Sequence, residues 1–391
     1  MKSKTRFFPY IDDFGNEYSE DNIYFTNSEL YQYEEVVKYW NLKQGQRYPN
    51  IFTKGVKWEG KKFPTCIKNK KNGIIASQKV SEKGAKLPIH AGSCRQIKTV
   101  CFALPNAGKT TFLLNSLMSR KFWNAVTELN HELTFEEDFI SPNGTQKYYW
   151  ELFKSWERNR QLPGNTLEGL SVTFPYYVNY RNEEALLSIT DISGESCKKL
   201  QWESPGVILN KYFFVMIDVV DIIRGNSEYL YLIENLLKNI RVHRSDRDYQ
   251  ILVVLTKADR IIENFDKNIF RNSIHLENDG NLYLTVHDEG FNEAAFRKKE
   301  HLIMNFLYKY SPNLMNLLNK FEKKRTRFFM TASIGCESSE LYDSDNYNPI
   351  CIDEPWLYIL SRERLFPKLK MGEKTVLEKL IEKLFDLDLS A

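Results

Sequence analysis

Up to about residue 95 the chain mixes polar, aromatic and turn-forming residues without a sustained period, and the pattern changes at Gln96. From there short apolar, β-rich runs alternate with helical spacings. The runs are "IKTVCFAL" (97–104), "LSVTFPYYVNY" (170–180), "ALLSITDI" (185–192), "YFFVMIDVV" (212–220), "QILVVLT" (250–256) and "RFFMTAS" (327–333). Several are apolar on both faces, as strands buried inside a parallel sheet are. Helices are predicted over 109–120, 226–243, 292–322 and 373–388, and "EPWLYILSRERLF" (354–366) has the spacing of a helix packed on the sheet. "YRNEE" (180–184) is short enough for an antiparallel hairpin, whereas the other connections have room for crossovers. The pattern predicts an α/β domain over 96–391 with a mostly parallel sheet and helices on both faces. Residues 1–95 form an irregular N-terminal region in which 27–41 suit a short helix and 70–80 a turn.

Composition narrows the picture. The 391 residues are 42% hydrophobic, with 22 Tyr and 25 Phe, which is ample for a core. Lys and Arg number 54 against 51 acidic residues, a balance that does not indicate nucleic acid as a partner. The six cysteines form no C-x-x-C pair and the six histidines are scattered, so neither a disulfide framework nor a conventional zinc site is expected. No apolar run is long enough for a signal peptide or a membrane span, and the expected location is the cytoplasm. Cys101, inside an apolar strand, reads as a small core residue, and "EKKRTR" (322–327) as a solvated helix end.

The candidate chemistry begins at "VCFALPNAGKTTFLLNSL" (100–117), a predicted strand, a short loop and a predicted helix. The loop resembles a phosphate-binding loop, G-x-x-x-x-G-K-[ST], with Ala103 in place of the first glycine. Backbone N–H groups from Asn106, Ala107, Gly108 and Thr111 would wrap a phosphate at a helix N-terminus. Lys109 would reach the outer phosphates, and the Thr110 hydroxyl would bind Mg²⁺. Asp191 ends a second apolar run and opens a D-x-x-G, where the carboxylate suits a Mg²⁺ shell and the Gly194 N–H a γ-phosphate. Thr256-Lys257-Ala258-Asp259 follows a third run. The Asp259 carboxylate matches the N1–H and 2-amino donors of guanine, and Lys257 would lie over the base. Thr331-Ala332-Ser333 ends a fourth, where the Ala332 N–H suits the guanine oxygen.

With these four motifs in this order, residues 96–365 resemble the translation-factor-like class of P-loop GTPases, which includes the Ras-like proteins. The resemblance implies a six-stranded sheet with one antiparallel edge strand, Mg²⁺-dependent GTP binding, and switching of a protein partner by hydrolysis. Asp191 lies 82 residues beyond Lys109, which implies a helical insertion at 121–165 before the first switch. Thr166, in loop-forming surroundings, takes the role of the metal-binding switch threonine, since Thr173 falls inside a predicted strand. Glu195 stands where Ras-like proteins have a catalytic glutamine, so turnover is expected to be slow. Arg158 or Arg160, a partner, or self-association would supply an arginine finger.

The stretches "KLPIHAGSCRQIKTVCFALPNAGKTTFL" (86–113), "DISGE" (191–195) and "EPWLYIL" (354–360) are most similar to bacterial double-GTPase-type proteins, which occur in multigene conflict or defence systems. Those often begin with a zinc ribbon. Here "FFPYIDD" (7–13) and "FPTCIKN" (63–69) stand where cysteine pairs are expected, which implies a ribbon that has lost its metal. Two other readings remain open: a nucleotide-stabilised scaffold with negligible hydrolysis, and an ATP-using P-loop enzyme, against which the T-K-A-D motif argues.

Overall fold

The computed structural model describes residues 7–26 (without 13, 20 and 21), 51–52, 65, 67–68, 75–76, 78–81, 86–117, 133–137, 151–158 (without 153 and 157), 171–200, 205–261 (without 247), 265, 286–287, 290–335 (without 323) and 349–368. The predicted helices at 27–41 and 373–388 lie outside these residues, as do Cys66, Arg160 and Thr166.

The main sheet has seven strands: β1 (Arg95–Ala103), β2 (Leu133–Glu137), β3 (Ser171–Tyr180), β4 (Glu183–Ile192), β5 (Tyr212–Asp218), β6 (Gln250–Thr256) and β7 (Thr326–Met330). Their order is β2-β3-β4-β1-β5-β6-β7. β3 pairs antiparallel with both neighbours, and the remaining pairs are parallel. The expected antiparallel strand is therefore not at the edge. β2 covers it, and β2 comes from "LTFEE", inside the segment expected to be a helical insertion. Its alternation is too short to stand out by period. Downstream, residues 151–152, 154–156 and 158 are helical, with Trp156 buried.

Both faces of the sheet are covered. Along β5, Tyr212, Phe214 and Met216 face one core, and Phe213, Val215 and Ile217 face the other. That is why the strand reads as continuously apolar rather than alternating. The first core takes Phe112 of α1 (Lys109–Ser116) and Trp356 from the chain's last described helix, whose ring stacks on Phe214 at 4.6 Å. The second core takes most of its cover from the helices between β4 and β7. After α1 these are α2 (Gly194–Lys198), α3 (Pro205–Ile208), α4 (Val219–Ile223), α5 (Glu228–His243), α6 (Glu293–Tyr310) and α7 (Pro312–Glu322), and α8 (Glu354–Arg362) carries Trp356. Leu232, Leu236 and Ile240 of α5 line the second core at helical spacing. The predicted helix 292–322 is two helices. Pro312 lacks the N–H a continuous helix needs, and Ser311 before it takes an extended φ of −143°.

The N-terminal region, expected to be irregular, contains short antiparallel strands. Ile51–Phe52, Ile23–Thr26, Gln78–Ser81 and Lys86–Leu87 make a four-stranded sheet in that order, and Tyr10–Ile11 pairs with Glu17–Tyr18. Gln96 of β1 fastens this region to the main sheet, accepting from Ile11 N at 2.9 Å and donating to Ile11 O at 3.0 Å. Among the described residues no helix is long and apolar enough to cross a membrane, and Cys94, Cys101, Cys197 and Cys351 are buried and form no disulfide.

Candidate functional site

The strand order reverses at β1: the next chain segments build β2, β3 and β4 to one side, and β5, β6 and β7 to the other. In open α/β sheets the crevice at such a point, beyond the carboxyl ends of the strands, is where ligands bind. Four of the sequence-predicted segments leave the sheet there, after Ala103, Ile192, Thr256 and Met330.

The loop from Leu104 to Gly108 carries two left-handed residues, Asn106 (φ 66°) and Gly108 (φ 79°). Asparagine tolerates this region better than most residues and glycine enters it without a steric penalty. Gly108 is the N-cap of α1 and supplies no side-chain hydrogen bond. The helix therefore presents its first-turn N–H groups with no side chain capping them, the arrangement that favours an anion. Ala103 is the last residue of β1, fully buried and paired with Met216. It belongs to the core rather than to the loop, so a methyl there is tolerated.

Lys109 turns back from the helix start. Its Nζ donates to Asp191 Oδ1 and to the Ile192 carbonyl oxygen, and both members of the ion pair are buried. Burial lowers the Lys109 ammonium to about 8, opposed in part by the neighbouring Cys197 and Cys101 sulfurs. Burial also pushes the nearby Cys101 thiol up to about 12, so it is neutral and inert at physiological pH. Gly194 sits against the same loop. A Cβ there would lie 2.8 Å from both Pro105 Cα and Pro105 N, so only glycine fits. Ser193 caps α2, its hydroxyl accepting from Ser196 N at 3.1 Å, and Glu195 stands in the first turn, where a helix favours an acid.

On the other side of β1, the Thr256 hydroxyl donates to Ala107 O at 2.6 Å. Lys257, left-handed at φ 58°, pairs with Asp218 Oδ2 at 2.6 Å. Asp259 lies partly buried in the following 3-10 turn, and its carboxyl is raised above the usual range by burial, against the pull of Arg260 and Lys257. Asn115 of α1 donates to Ser333 O at 2.8 Å, and Ala258 N to Thr331 O at 3.1 Å, so the last loop is tied to both neighbours. The Ala332 N–H, predicted to meet a guanine oxygen, instead donates to Ile350 O at 3.0 Å. The fully buried bridge between those two residues takes that donor out of the crevice.

No protein-family model matches the chain, and no curated protein matches it in sequence. Among solved structures it is similar to the S. cerevisiae Ski7 GTPase-like domain, bound to GTP, at a TM-score of 0.34 and 14% identity. That alignment covers 71% of this chain and 51% of the other, so this chain spans about half the length of that one.

The crevice thus gathers Asn106, Ala107, Gly108, Lys109, Thr110 and Thr111 with Asp191, Gly194, Glu195, Thr256, Lys257, Asp259 and Ser333. Thr173, set aside at the sequence level as a strand residue, is in β3, with its hydroxyl 2.8 Å from that of Thr190. Two residues of the site were not anticipated. Asp218 both caps α4, accepting from Val220 N at 2.9 Å, and holds Lys257. Its position mirrors that of Asp191, at the carboxyl end of an apolar run, and that was the available signal. Asn115 had none, because it reads as an ordinary helix position. Among the described residues no cluster of three or more His, Cys, Asp or Glu side chains could hold a metal ion. A hard cation that keeps most of its waters needs only one or two protein oxygens beside a phosphate, so the lack of such a cluster does not bear on the role expected of Thr110 and Asp191.

Proposed function

We propose that the protein binds GTP with Mg²⁺ in this crevice and hydrolyses it slowly, as a P-loop GTPase that switches a protein partner. The reading rests on one observation: the segments carrying Lys109, Asp191, Asp259 and Ser333 leave the sheet at the same edge and are bonded to one another there. A random G-K-T would have no such company.

In this reading the N–H groups at the start of α1 hold the phosphates. Lys109 gives up Asp191 and the Ile192 carbonyl for phosphate oxygens. That frees Asp191, with Thr110, to hold Mg²⁺, whose charge offsets that of the phosphates. The exchange also unties the backbone just before Gly194, which rests directly on Pro105, so the phosphate state is transmitted to α2. Asp218 keeps Lys257 in position at the base. The carboxylate of Asp259, already partly desolvated, accepts from guanine N1–H and the 2-amino group, which adenine cannot satisfy. With the Ala332 N–H engaged elsewhere, Ser333 is the residue of its loop left to meet the base. A protein partner, and a place in a bacterial conflict system, are carried by the sequence resemblance alone.

Titration of the purified protein with fluorescent GTP and ATP, followed by phosphate release, tests this reading. Guanine-selective, Mg²⁺-dependent binding with slow release is expected. Equal affinity for ATP would overturn the assignment. Tight GTP binding without turnover would favour the scaffold reading, to which the carboxylate at Glu195 already lends weight.

A further inference from the structure

The opposite edge of the main sheet, at the amino ends of β1, β5 and β6, carries a second concavity of about 850 Å³. Five cations line it: Arg181, Lys211, Arg362, Arg364 and Lys368, against two carboxylates, Asp248 and Glu363. Lys211 pairs with Asp248 at 3.3 Å and Lys368 with Glu293 at 3.4 Å, so the positive excess is carried by the three arginines. Glu363 is already committed. Its carboxylate accepts from Arg95 and from Tyr212 Oη at 2.5 Å, and Lys211 Nζ lies 2.8 Å away. These contacts hold it ionised, below the usual carboxylate range against the effect of burial, with its single charge shared between Lys211 and Arg95. Arg362 is oriented in turn. The Gln250 amide, turned so that its oxygen faces the guanidinium, accepts from Nε at 3.0 Å and Nη2 at 3.1 Å while donating to Tyr358 Oη at 2.9 Å.

A second, independent observation marks the place. Arg181 (φ 57°) and Arg364 (φ 62°) are both left-handed, a conformation that is strained for most side chains and that glycine or asparagine adopts more readily. The two positions are far apart in sequence, one in the β3–β4 turn and the other just after α8, yet both hold arginine and both line this cavity.

We propose that this cavity binds a ligand dense in phosphate and without a nucleobase. Planar guanidinium forks and a lysine around a compact space match closely spaced phosphates. The aromatic rings of the lining, Tyr180 and Phe366, are buried, and Arg181 covers the Tyr180 ring at 5.0 Å. No exposed ring is therefore available for a base to stack on, and none to anchor an acidic peptide. The site lies across the sheet from the nucleotide crevice and does not depend on that assignment.

Calorimetry with inositol hexakisphosphate tests it on the full chain. Arg181→Gly combined with Arg364→Gly removes two cations at positions where glycine carries no backbone strain, so folding, checked by urea unfolding, is preserved. The double variant should bind the probe at least about tenfold more weakly, and saturating GTP should not displace the probe from the parent protein. Co-sedimentation with phosphatidylcholine vesicles, with and without phosphatidylinositol bisphosphate, separates the two sources of the chemistry. Capture by the phosphorylated vesicles as well as the probe assigns a lipid headgroup, and probe binding alone assigns a soluble ligand. Absence of probe binding, equal binding by the double variant, displacement by GTP, or preference for poly-glutamate over the probe would each overturn the proposal.

Discussion

The Thr256 hydroxyl donates to the carbonyl of Ala107 at 2.6 Å, joining the end of β6 to the loop that opens α1. Both residues are buried, so the carbonyl has no access to water as a substitute. Thr256→Val keeps the shape and removes the donor. It should cost about 1–3 kcal/mol in urea unfolding and weaken GTP about tenfold, because the phosphate-facing backbone loses its lateral support. Lost stability with unchanged GTP affinity would show that the loop is held by its other contacts and that Thr256 is purely structural.

Two glycines in the crevice are required for different reasons, and substitution tells them apart. Gly194 has no room: a methyl would press on the Pro105 backbone at 2.8 Å. Gly108 has open space around it but a φ of 79°. Gly194→Ala should displace the 104–108 loop and lower GTP affinity at least about tenfold, with an overpacking cost of roughly 1–3 kcal/mol. Gly108→Ala should cost about 1–2 kcal/mol through the backbone alone, and Gly108→Asn should recover part of it, because asparagine tolerates the left-handed region. Equal effects of alanine and asparagine at 108 would remove the conformational explanation.

The strands of the main sheet were legible because burial on both faces leaves continuous apolar runs, and the ends of β1, β4 and β6 were placed within a residue or two. "RFFMTAS" ran three residues past the strand that ends at Met330, because Thr331 and Ala332 are buried by the bridge to Ile350 and look like strand in composition. β2 was missed because five alternating residues inside a long polar segment carry little periodic signal. Positions in the crevice were readable where they follow from a residue's own loop, as for Gly108 and Lys109 at the start of α1. They were not readable where the role depends on a partner far along the chain. Asp218 acts through Lys257, Asn115 through Ser333, and the Ala332 N–H is taken by Ile350. Each of those pairings is created by the fold and absent from any local pattern.

Proton linkage gives an independent test of Lys109. Burial lowers its ammonium to about 8, and a phosphate in contact would raise it again by favouring the charged form. A group whose pKa rises on binding takes up a proton in the window between its free and bound values. GTP affinity should therefore fall as pH rises above about 8, with proton uptake there that persists when inorganic triphosphate, which lacks the titrating guanine N1–H, replaces GTP. Calorimetry in buffers of different ionisation enthalpy measures the uptake directly. Lys109→Ala is the poorer test, because it leaves Asp191 buried without its counter-charge, at a cost of about 3–5 kcal/mol. No proton uptake at alkaline pH would mean that another group meets the phosphates.

Base selectivity should reside in Asp259. Its carboxyl is raised by burial, so it gains most from ligand donors that hold the ionised form. Guanine supplies two such donors, and adenine leaves a partly desolvated carboxylate without them, a penalty of several kcal/mol. Asp259→Asn should weaken GTP strongly and improve xanthosine triphosphate, whose oxo group accepts from the new amide. Competition binding with the three triphosphates reads the outcome, and an unchanged order of preference would take Asp259 out of the base site.

In the proposed function, hydrolysis should turn on Glu195. It lies in the first turn of α2, one residue beyond the glycine that rests on the 104–108 loop, and Ser193 fixes that turn by capping it. A carboxylate here is favoured by the helix terminus by about 0.3–1 kcal/mol, so Glu195→Gln should fold with little loss. Its effect on the nucleotide is the informative part. Phosphoryl transfer needs an oriented water and compensation of the charge on the transferring group, and a second negative charge beside the γ-phosphate opposes the latter. Turnover in the parent protein should accordingly lie well below about 1 s⁻¹. Removing that charge should tighten GTP and leave or raise the rate if Glu195 acts by repulsion. If Glu195 orients the water, single-turnover rates should fall while affinity stays unchanged. Arg158, exposed on the helical segment before β3, is the described candidate for an arginine finger in cis, and Arg158→Ala distinguishes that source from one supplied by a partner. Fast turnover in dilute protein, insensitive to Glu195→Gln and to Arg158→Ala, would place the catalytic groups elsewhere in the crevice.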